Sequence, residues 1–172
     1  MGKYDDAIFN YNKALKIDSL NPDVYYNRGQ VFQIRGDYPN ALLDFNRAIQ
    51  LGPIRNAYFE KGNTYSMMQD ETSARKYIEE GVAAFPNDGE SYSQRGIYLY
   101  NHSEMQLALD DFNKAISLNA TSGEYYFKRG VVYAEMNKTN DACNDFIKAK
   151  SLNYTDPEEQ VFWKKYCKNV KQ

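Results

Sequence analysis

The stretch of residues 125–153, YYFKRGVVYAEMNKTNDACNDFIKAKSLN, decides the fold of this chain. In its first half Tyr126 and Gly130 are four residues apart, and in its second half Ala142 and Phe146 are also four apart. This spacing places each pair on one face of an α-helix. Small residues let two helix backbones approach closely, and large residues fill the space beside them. The stretch therefore predicts two packed helices joined by a short turn.

The same pattern recurs along the chain at intervals of 33 or 34 residues. Three columns of residues keep this register. They are the glycines Gly29, Gly62, Gly96 and Gly130, the alanines Ala7, Ala41, Ala74, Ala108 and Ala142, and the large residues Tyr11, Phe45, Ile78, Phe112 and Phe146. A fixed period of this length indicates a repeat protein in which each helix pair packs on its neighbours.

These columns resemble the tetratricopeptide-repeat (TPR) family over almost the whole chain. The resemblance implies an all-α, right-handed α-solenoid of antiparallel helix pairs that forms a single domain, 1–172. Counted within the family's 34-residue unit, the sequence departs from the pattern at two positions. At position 7 the usual Leu is replaced by Arg28, Lys61, Arg95 and Arg129. At position 32 only Pro53 and Pro86 keep the proline. The expected units are a leading half unit at 1–21, full units at 22–54, 55–88, 89–122 and 123–156, and a capping helix at 157–170.

The two ends of the expected array differ. Asp156, Pro157 and Glu159 provide an N-cap, a first-turn proline and a capping-box glutamate for the final helix. That helix would cover the last repeat with Val161, Phe162, Trp163 and Tyr166 and turn Lys164, Lys165 and Lys168 outward. Residues 3–17 form a second helix without its first partner, which leaves Ala7, Ile8, Tyr11, Ala14 and Leu15 partly bare. We expect the chain to be a fragment of a longer protein or to form a homodimer through this end.

Each position-7 arginine recurs with an aspartate sixteen residues later: Arg28 with Asp44, Arg95 with Asp111, and Arg129 with Asp145. The repeat with Lys61 has Tyr77 at that place. We predict a bidentate contact within each repeat, which the planar guanidinium suits and an ammonium does not. The alternative is a set of independent surface charges. A partly exposed pair would contribute about 0–1 kcal/mol to stability.

Cys143 and Cys167 lie at similar distances from the expected turn between their helices. An antiparallel hairpin would bring them together, so they form either a disulfide that staples the cap or two separate thiols. Four Asn-x-Ser/Thr motifs also occur, at Asn101, Asn119, Asn137 and Asn153. Turns favour Asn, Ser and Thr in any case, and we interpret the motifs as coincidence.

No pattern in the sequence predicts catalysis, a metal site or a cofactor. His102 is the only histidine, and the glycines are isolated and do not form a phosphate-binding loop. A net charge of −2 does not favour nucleic acid as a partner, and no apolar run is long enough to cross a membrane. The chain shows no signal-peptide pattern. We expect a cytoplasmic protein, with an exported or periplasmic protein as the alternative.

The resemblance implies that the first helices of the repeats line a concave groove. The residues expected at groove positions are Tyr26, Gln30, Phe59, Asn63, Ile97, Tyr100, Phe127 and Val131. Aromatic side chains there would anchor a partner, and amides would hold a peptide backbone. The alternative is that some of these residues only contact the neighbouring repeat. Position 2 carries Asp23, Asn56, Glu90 and Glu124, which favours a neutral or basic ligand.

Some members of this family bind the acidic tails of heat-shock chaperones through a two-carboxylate clamp. The clamp needs Lys and Arg in its third repeat, where one register of this chain has Asn56 and Glu60 and the other has Glu124 and Lys128. We therefore reject that mechanism. The leading hypothesis is a non-catalytic scaffold or adaptor that binds a peptide or a partner protein. The alternatives are a structural or self-assembly segment of a longer protein and a regulatory appendage of an enzyme.

Overall fold

The computed structural model of the protein describes residues 2–155 and 159–167. Contacts between Cα atoms divide the chain into two compact parts, which we name the N-terminal half (Met1–Phe85) and the C-terminal half (Pro86–Gln172). Every regular element within the described ranges is an α-helix.

Within the described residues, each half contains five helices. Those of the N-terminal half are α1 (Lys3–Ile17), α2 (Pro22–Ile34), α3 (Tyr38–Leu51), α4 (Arg55–Met67) and α5 (Glu71–Ala84). Those of the C-terminal half are α6 (Gly89–Asn101), α7 (Met105–Leu118), α8 (Gly123–Glu135), α9 (Thr139–Ser151) and α10 (Glu159–Tyr166). Helices α2 and α3, α4 and α5, α6 and α7, and α8 and α9 make the most extensive contacts, so each pair is one helical hairpin.

The helices begin and end at recognisable signals. Asn21 accepts hydrogen bonds from the backbone N–H groups of Asp23 and Val24, and Pro22 occupies the first turn of α2. Within each hairpin the turn contains one residue with positive φ; these residues are Gly36, Gln69, Ser103 and Asn137. They recur at the repeat period, so the turn geometry is itself a repeated feature.

The small residues of the repeat lie where the two helices of a hairpin touch. A β-carbon added at Gly130 would lie 2.7 Å from the Phe146 ring, and one added at Gly62 would lie 2.6 Å from Ile78. Neither distance leaves room for a side chain. The alanine column is fully buried at Ala41, Ala74, Ala108 and Ala142. Small residues therefore set the distance between the helices, and the large residue beside each of them fills the interface.

The structure confirms the three arginine–aspartate pairs. The Arg129 Nε and Nη2 atoms lie 2.8 and 2.7 Å from the two Asp145 carboxylate oxygens, and Arg28–Asp44 and Arg95–Asp111 have the same bidentate geometry. The hydrogen bond with Asp145 raises the pKa of Arg129. The aspartates are only 5% exposed. The alternative of independent surface charges is wrong, because these carboxylates leave water and depend on their arginines.

The structure adds a partner that the sequence analysis missed. Arg28 also donates to Asn12 and Arg129 to Asn113, each on the second helix of the preceding repeat. Lys61 likewise donates to Asn46, and its ammonium lies 3.4 Å from the centre of the Tyr77 ring. Asn12, Asn46 and Asn113 share one position of the repeat, so this asparagine column was a signal that could have revealed the contact. Each of these three cations thus links its own hairpin to the second helix that precedes it.

The last repeat is covered by α10. Phe162, Trp163 and Tyr166 pack against a buried cluster that includes Phe127 and Phe146. Val161 was expected to share this face but is 64% exposed, because Phe162, Trp163 and Tyr166 set the orientation of the helix. The predicted cap residues Asp156 and Pro157 and the predicted outward Lys168 lie outside the described residues, and α10 is described from Glu159 onward.

A disulfide joins Cys143 on α9 to Cys167 at the end of α10. Their Cα atoms are 5.3 Å apart, and both residues are buried in the aromatic cluster. Of the two alternatives open at these cysteines, the structure therefore shows the covalent staple, which ties the cap to the last hairpin.

Candidate peptide-binding surface

In the N-terminal half, the expected groove residues lie on α2 and α4. The Gln30 side-chain amide donates to the Tyr26 hydroxyl at 2.9 Å, and Asn63 is exposed. Burial and the nearby Glu60 carboxylate raise the pKa of Tyr26. Phe59 is only 4% exposed, so a partner could touch no more than the edge of its ring.

One amide that the expected set left out connects these two helices. Gln33 donates to the Glu60 backbone oxygen at 3.2 Å and to the Thr64 hydroxyl at 2.9 Å. This side chain therefore serves the contact between neighbouring repeats. Tyr26, Gln30 and Asn63 present a polar surface beside it.

In the C-terminal half, three of the expected residues line one depression. Ile97 and Tyr100 on α6 face Val131 on α8 across a cavity of about 240 Å³. The other lining residues are Asn101, Phe112, Lys128 and Val132. Phe112 and Val132 are each 1% exposed and form a rigid apolar floor. The sequence analysis did not include these floor residues, because the repeat pattern identifies them as core.

The fourth expected residue of this half has a different position. Phe127 is 6% exposed, and its ring centroid lies 5.5 to 5.7 Å from those of Phe146, Tyr154 and Phe162. It therefore belongs to the aromatic cluster under α10 and supports the surface from behind.

The acidic residues at the start of α6 and α8 are engaged within the C-terminal half. Glu90 accepts hydrogen bonds from the Gln94 amide at 2.6 Å and from the Tyr125 hydroxyl at 3.3 Å. Glu124 pairs with Lys128 at 2.5 Å. Burial, together with the Glu90 carboxylate, raises the pKa of Tyr125 to about 12. Because these carboxylates already have partners, the surface does not require a basic ligand.

The described residues contain no group of three or more side chains suited to hold a metal ion. In the same part of the chain, no helix combines the length and apolarity that crossing a membrane requires.

Comparison with known families identifies the repeat. Tetratricopeptide-repeat models match residues 1–33, 22–53, 56–88 and 123–156. The chain belongs to the tetratricopeptide-repeat family.

Several curated TPR proteins are similar to this chain. Human mitochondrial import receptor subunit TOM70 is 31% identical over 65% of this chain and 20% of its own length. Hsp70-Hsp90 organizing protein 2 of Arabidopsis thaliana is 30% identical over 51% and 16%, and human tetratricopeptide repeat protein 13 is 22% identical over 64% and 13%. The chain thus spans a fifth or less of these relatives.

Solved structures share the fold. A thermophilic TPR protein of Thermus thermophilus superposes with a TM-score of 0.75 at 17% identity, covering 96% of this chain and 91% of its own. YrrB, described as a TPR protein with an unusual peptide-binding site, superposes with a TM-score of 0.65 at 24% identity, covering 95% and 84%. The chain is accordingly an all-α TPR solenoid.

Proposed function

We propose that this chain is a non-catalytic protein-interaction module that binds an extended segment of a partner protein on its first helices. The observation that carries the proposal is the depression between α6 and α8, which we name the Ile97–Val131 pocket. Its lining is almost wholly apolar and rests on the buried floor of Phe112 and Val132.

The size of the pocket indicates what it takes. Pockets that bind drug-sized ligands and cofactors usually measure about 300–1,000 Å³. A cavity of about 240 Å³ is smaller and suits one large apolar side chain. Asn101 also lines the pocket and is exposed, and its side-chain amide can hydrogen-bond a peptide backbone beside that side chain. The partner segment is therefore expected to be uncharged where it enters the pocket.

A selection from a displayed library of random peptides tests this function. We expect enriched peptides to share one position occupied by Leu, Met, Phe or Trp, because a single apolar anchor dominates binding to such a pocket. The Val131→Trp variant fills the cavity and should lose at least about tenfold in affinity for those peptides. The matched control Leu107→Trp changes an exposed apolar residue on the second helix α7, outside the pocket, and should leave their affinity within about twofold.

Two results of the selection would contradict the proposal. Failure to enrich any peptide argues against peptide binding. Enrichment of peptides that bind Val131→Trp as tightly as the native chain would remove the pocket from the function. Circular dichroism of the variant shows that a loss of binding is not a loss of fold.

A second candidate function is self-assembly through α1. No residue of α1 is buried, while Phe9 is 51% and Ile17 90% exposed. Apolar side chains left open in this way favour association with a second surface. Light scattering after size-exclusion chromatography should then show a dimer whose fraction rises with concentration and falls in Ile17→Glu. A monomer at all concentrations would exclude this candidate.

A further inference from the structure

The C-terminal half carries a set of surface motifs that the peptide-binding function does not use. All four Asn-x-Ser/Thr sequences, at Asn101, Asn119, Asn137 and Asn153, lie in this half, and residues 1–85 contain none. Every one of the four asparagines is exposed. Such motifs are acceptors for N-linked glycans when they lie on the surface of a protein in the secretory pathway.

Turn geometry explains two of these asparagines without any modification. Asn137 and Asn153 have φ of 59° and 58°, the left-handed region that asparagine tolerates better than most residues. Asn101 lines the Ile97–Val131 pocket, so its side chain has a second explanation. Asn119 has a φ of −145° and lies outside the pocket, and its side-chain oxygen closes the turn after α7, as Asp18 does after α1.

The hydrogen bonds of the Asn119 motif involve the side-chain oxygen of Asn119 and leave its amide nitrogen accessible. The Thr121 hydroxyl donates to Asn119 Oδ1 at 2.7 Å, and the Thr121 backbone N–H donates to the same oxygen at 3.1 Å. Both hydrogen bonds use the carbonyl oxygen of the amide and neither uses Nδ2, the atom that carries an N-linked glycan. Both residues are exposed in the connection between α7 and α8.

The disulfide supplies an independent observation from the same half. Cys143 and Cys167 are paired and buried beneath α10. Disulfides form and persist in oxidising compartments and are rare where glutathione and thioredoxin keep thiols reduced. Such compartments include the secretory pathway, in which surface Asn-x-Ser/Thr motifs become glycosylated. The bond therefore favours the exported alternative over a cytoplasmic location.

We propose that the chain passes through an oxidising secretory compartment and is N-glycosylated there at Asn119. In the transfer step, Nδ2 of Asn119 forms a bond to C1 of the first amino sugar of a lipid-pyrophosphate oligosaccharide. The bond from C1 to the pyrophosphate oxygen breaks, the lipid pyrophosphate leaves with its electron pair, and the Nδ2 proton passes to a base of the transferase. In disulfide formation, Cys143 and Cys167 give up two electrons and two protons to a disulfide-bearing oxidoreductase.

The decisive experiment uses the native protein, immunopurified from the cells that make it and digested without reductant. Mass spectrometry should find a peptide that joins Cys143 to Cys167 and an Asn119 peptide that carries a glycan. Peptide-N-glycosidase should convert that asparagine to aspartate. Reduced cysteines in protein alkylated at lysis would overturn the proposal. An unmodified Asn119 would do so equally, even if the disulfide is present.

Variants made in the same cells assign the site. Asn119→Gln and Thr121→Ala should each remove one glycosidase-sensitive step in gel mobility. The matched control Thr121→Ser keeps the hydroxyl and the motif, so it should retain that step. If Thr121→Ala runs like the native chain before and after the glycosidase, the assignment to Asn119 is wrong. None of these results depends on whether the Ile97–Val131 pocket binds a peptide.

Discussion

The two helices at the ends of the described chain meet very different surroundings. Helix α1 has fifteen residues and buries none of them, whereas α10 has eight residues and lies on a buried aromatic cluster. An isolated helix of eight residues is unstable in water. The position of α10 must therefore come from the packing of Phe162, Trp163 and Tyr166 and from the disulfide at its end. Length does not decide whether a terminal helix is held in place; the surface against which it packs does.

The two ends of the chain also differ at equivalent positions of the repeat. Tyr11 on α1 and Phe146 on α9 belong to the same column, yet Phe146 is 1% exposed and Tyr11 remains half-buried. The difference arises because Phe146 has Gly130 of its own hairpin on one side and α10 on the other. Within the described residues Tyr11 has only the following hairpin.

The greatest loss of stability is expected from a substitution at Phe146. Phe146→Ala should lower the free energy of unfolding by about 3–5 kcal/mol, because it opens a cavity at the centre of the cluster. The matched variant Tyr11→Ala should cost about 1 kcal/mol, because partial exposure limits the apolar area that is lost. Urea unfolding of both variants measures the two values. Equal losses would contradict the difference in burial.

The disulfide provides the next test, which separates covalent attachment of α10 from its packing. Cys167→Ser should destabilise the chain by about 3 kcal/mol, since the bond closes a loop across a sequence separation of 24 residues. Addition of a reductant should lower the melting temperature of the native chain and leave that of Cys167→Ser unchanged. If the reductant does not change the melting temperature of the native chain, the disulfide does not stabilise the packing of α10.

The arginine clamps make a smaller and more selective comparison. Arg28→Ala and Arg129→Ala should each cost about 2 kcal/mol, because each leaves a buried aspartate without its charged hydrogen bonds. The strength of the arginine–asparagine hydrogen bond should differ between the two sites. Arg28 donates to Asn12 on the exposed α1, whereas Arg129 donates to Asn113 on α7. Double-mutant cycles with Asn12→Ala and Asn113→Ala should give the weaker coupling at α1. A stronger coupling at Asn12 would mean that α1 is held more firmly than its burial indicates.

A smaller effect is expected from pH, through Tyr125 in the C-terminal half. The pKa of Tyr125 rises to about 12 on folding, from about 10 in the unfolded chain. Because the folded value is the higher one, the stabilisation is complete below pH 10 and is lost as the pH rises towards 12. After allowance for solvent screening it amounts to roughly 1–2 kcal/mol.

Denaturant titrations of the native chain and Tyr125→Phe between pH 9 and 12 measure this term. The free energy of unfolding of the native chain, measured relative to that of Tyr125→Phe, should fall as the pH rises. The corresponding positions in the N-terminal half are Val24 and Ala57, which cannot ionise, so Ala57→Gly should show no such trend. A constant difference between the native chain and Tyr125→Phe would show that folding does not raise the pKa of Tyr125.

Part of the candidate site could be predicted from sequence. Ile97, Tyr100 and Val131 were expected from their positions in the repeat, and the structure brings these three together. The burial of Phe59 and Phe127 could not be read from the same positions. Groove positions recur at each repeat, but the depth of a side chain depends on which large residues surround it. Phe127 is deep because Phe162 and Tyr154 lie against it.

The sequence by itself determined the helical hairpins, the repeat period and the arginine–aspartate pairs. These features depend on contacts at fixed short separations, so a column of residue types records them. Tertiary structure decided which cysteine alternative holds, how the asparagine column joins neighbouring hairpins, and where an apolar cavity remains open. These features depend on residual space between side chains that are far apart in sequence. Only the packed helices determine that space, because a difference of one methyl group or one ring fills it or leaves it empty.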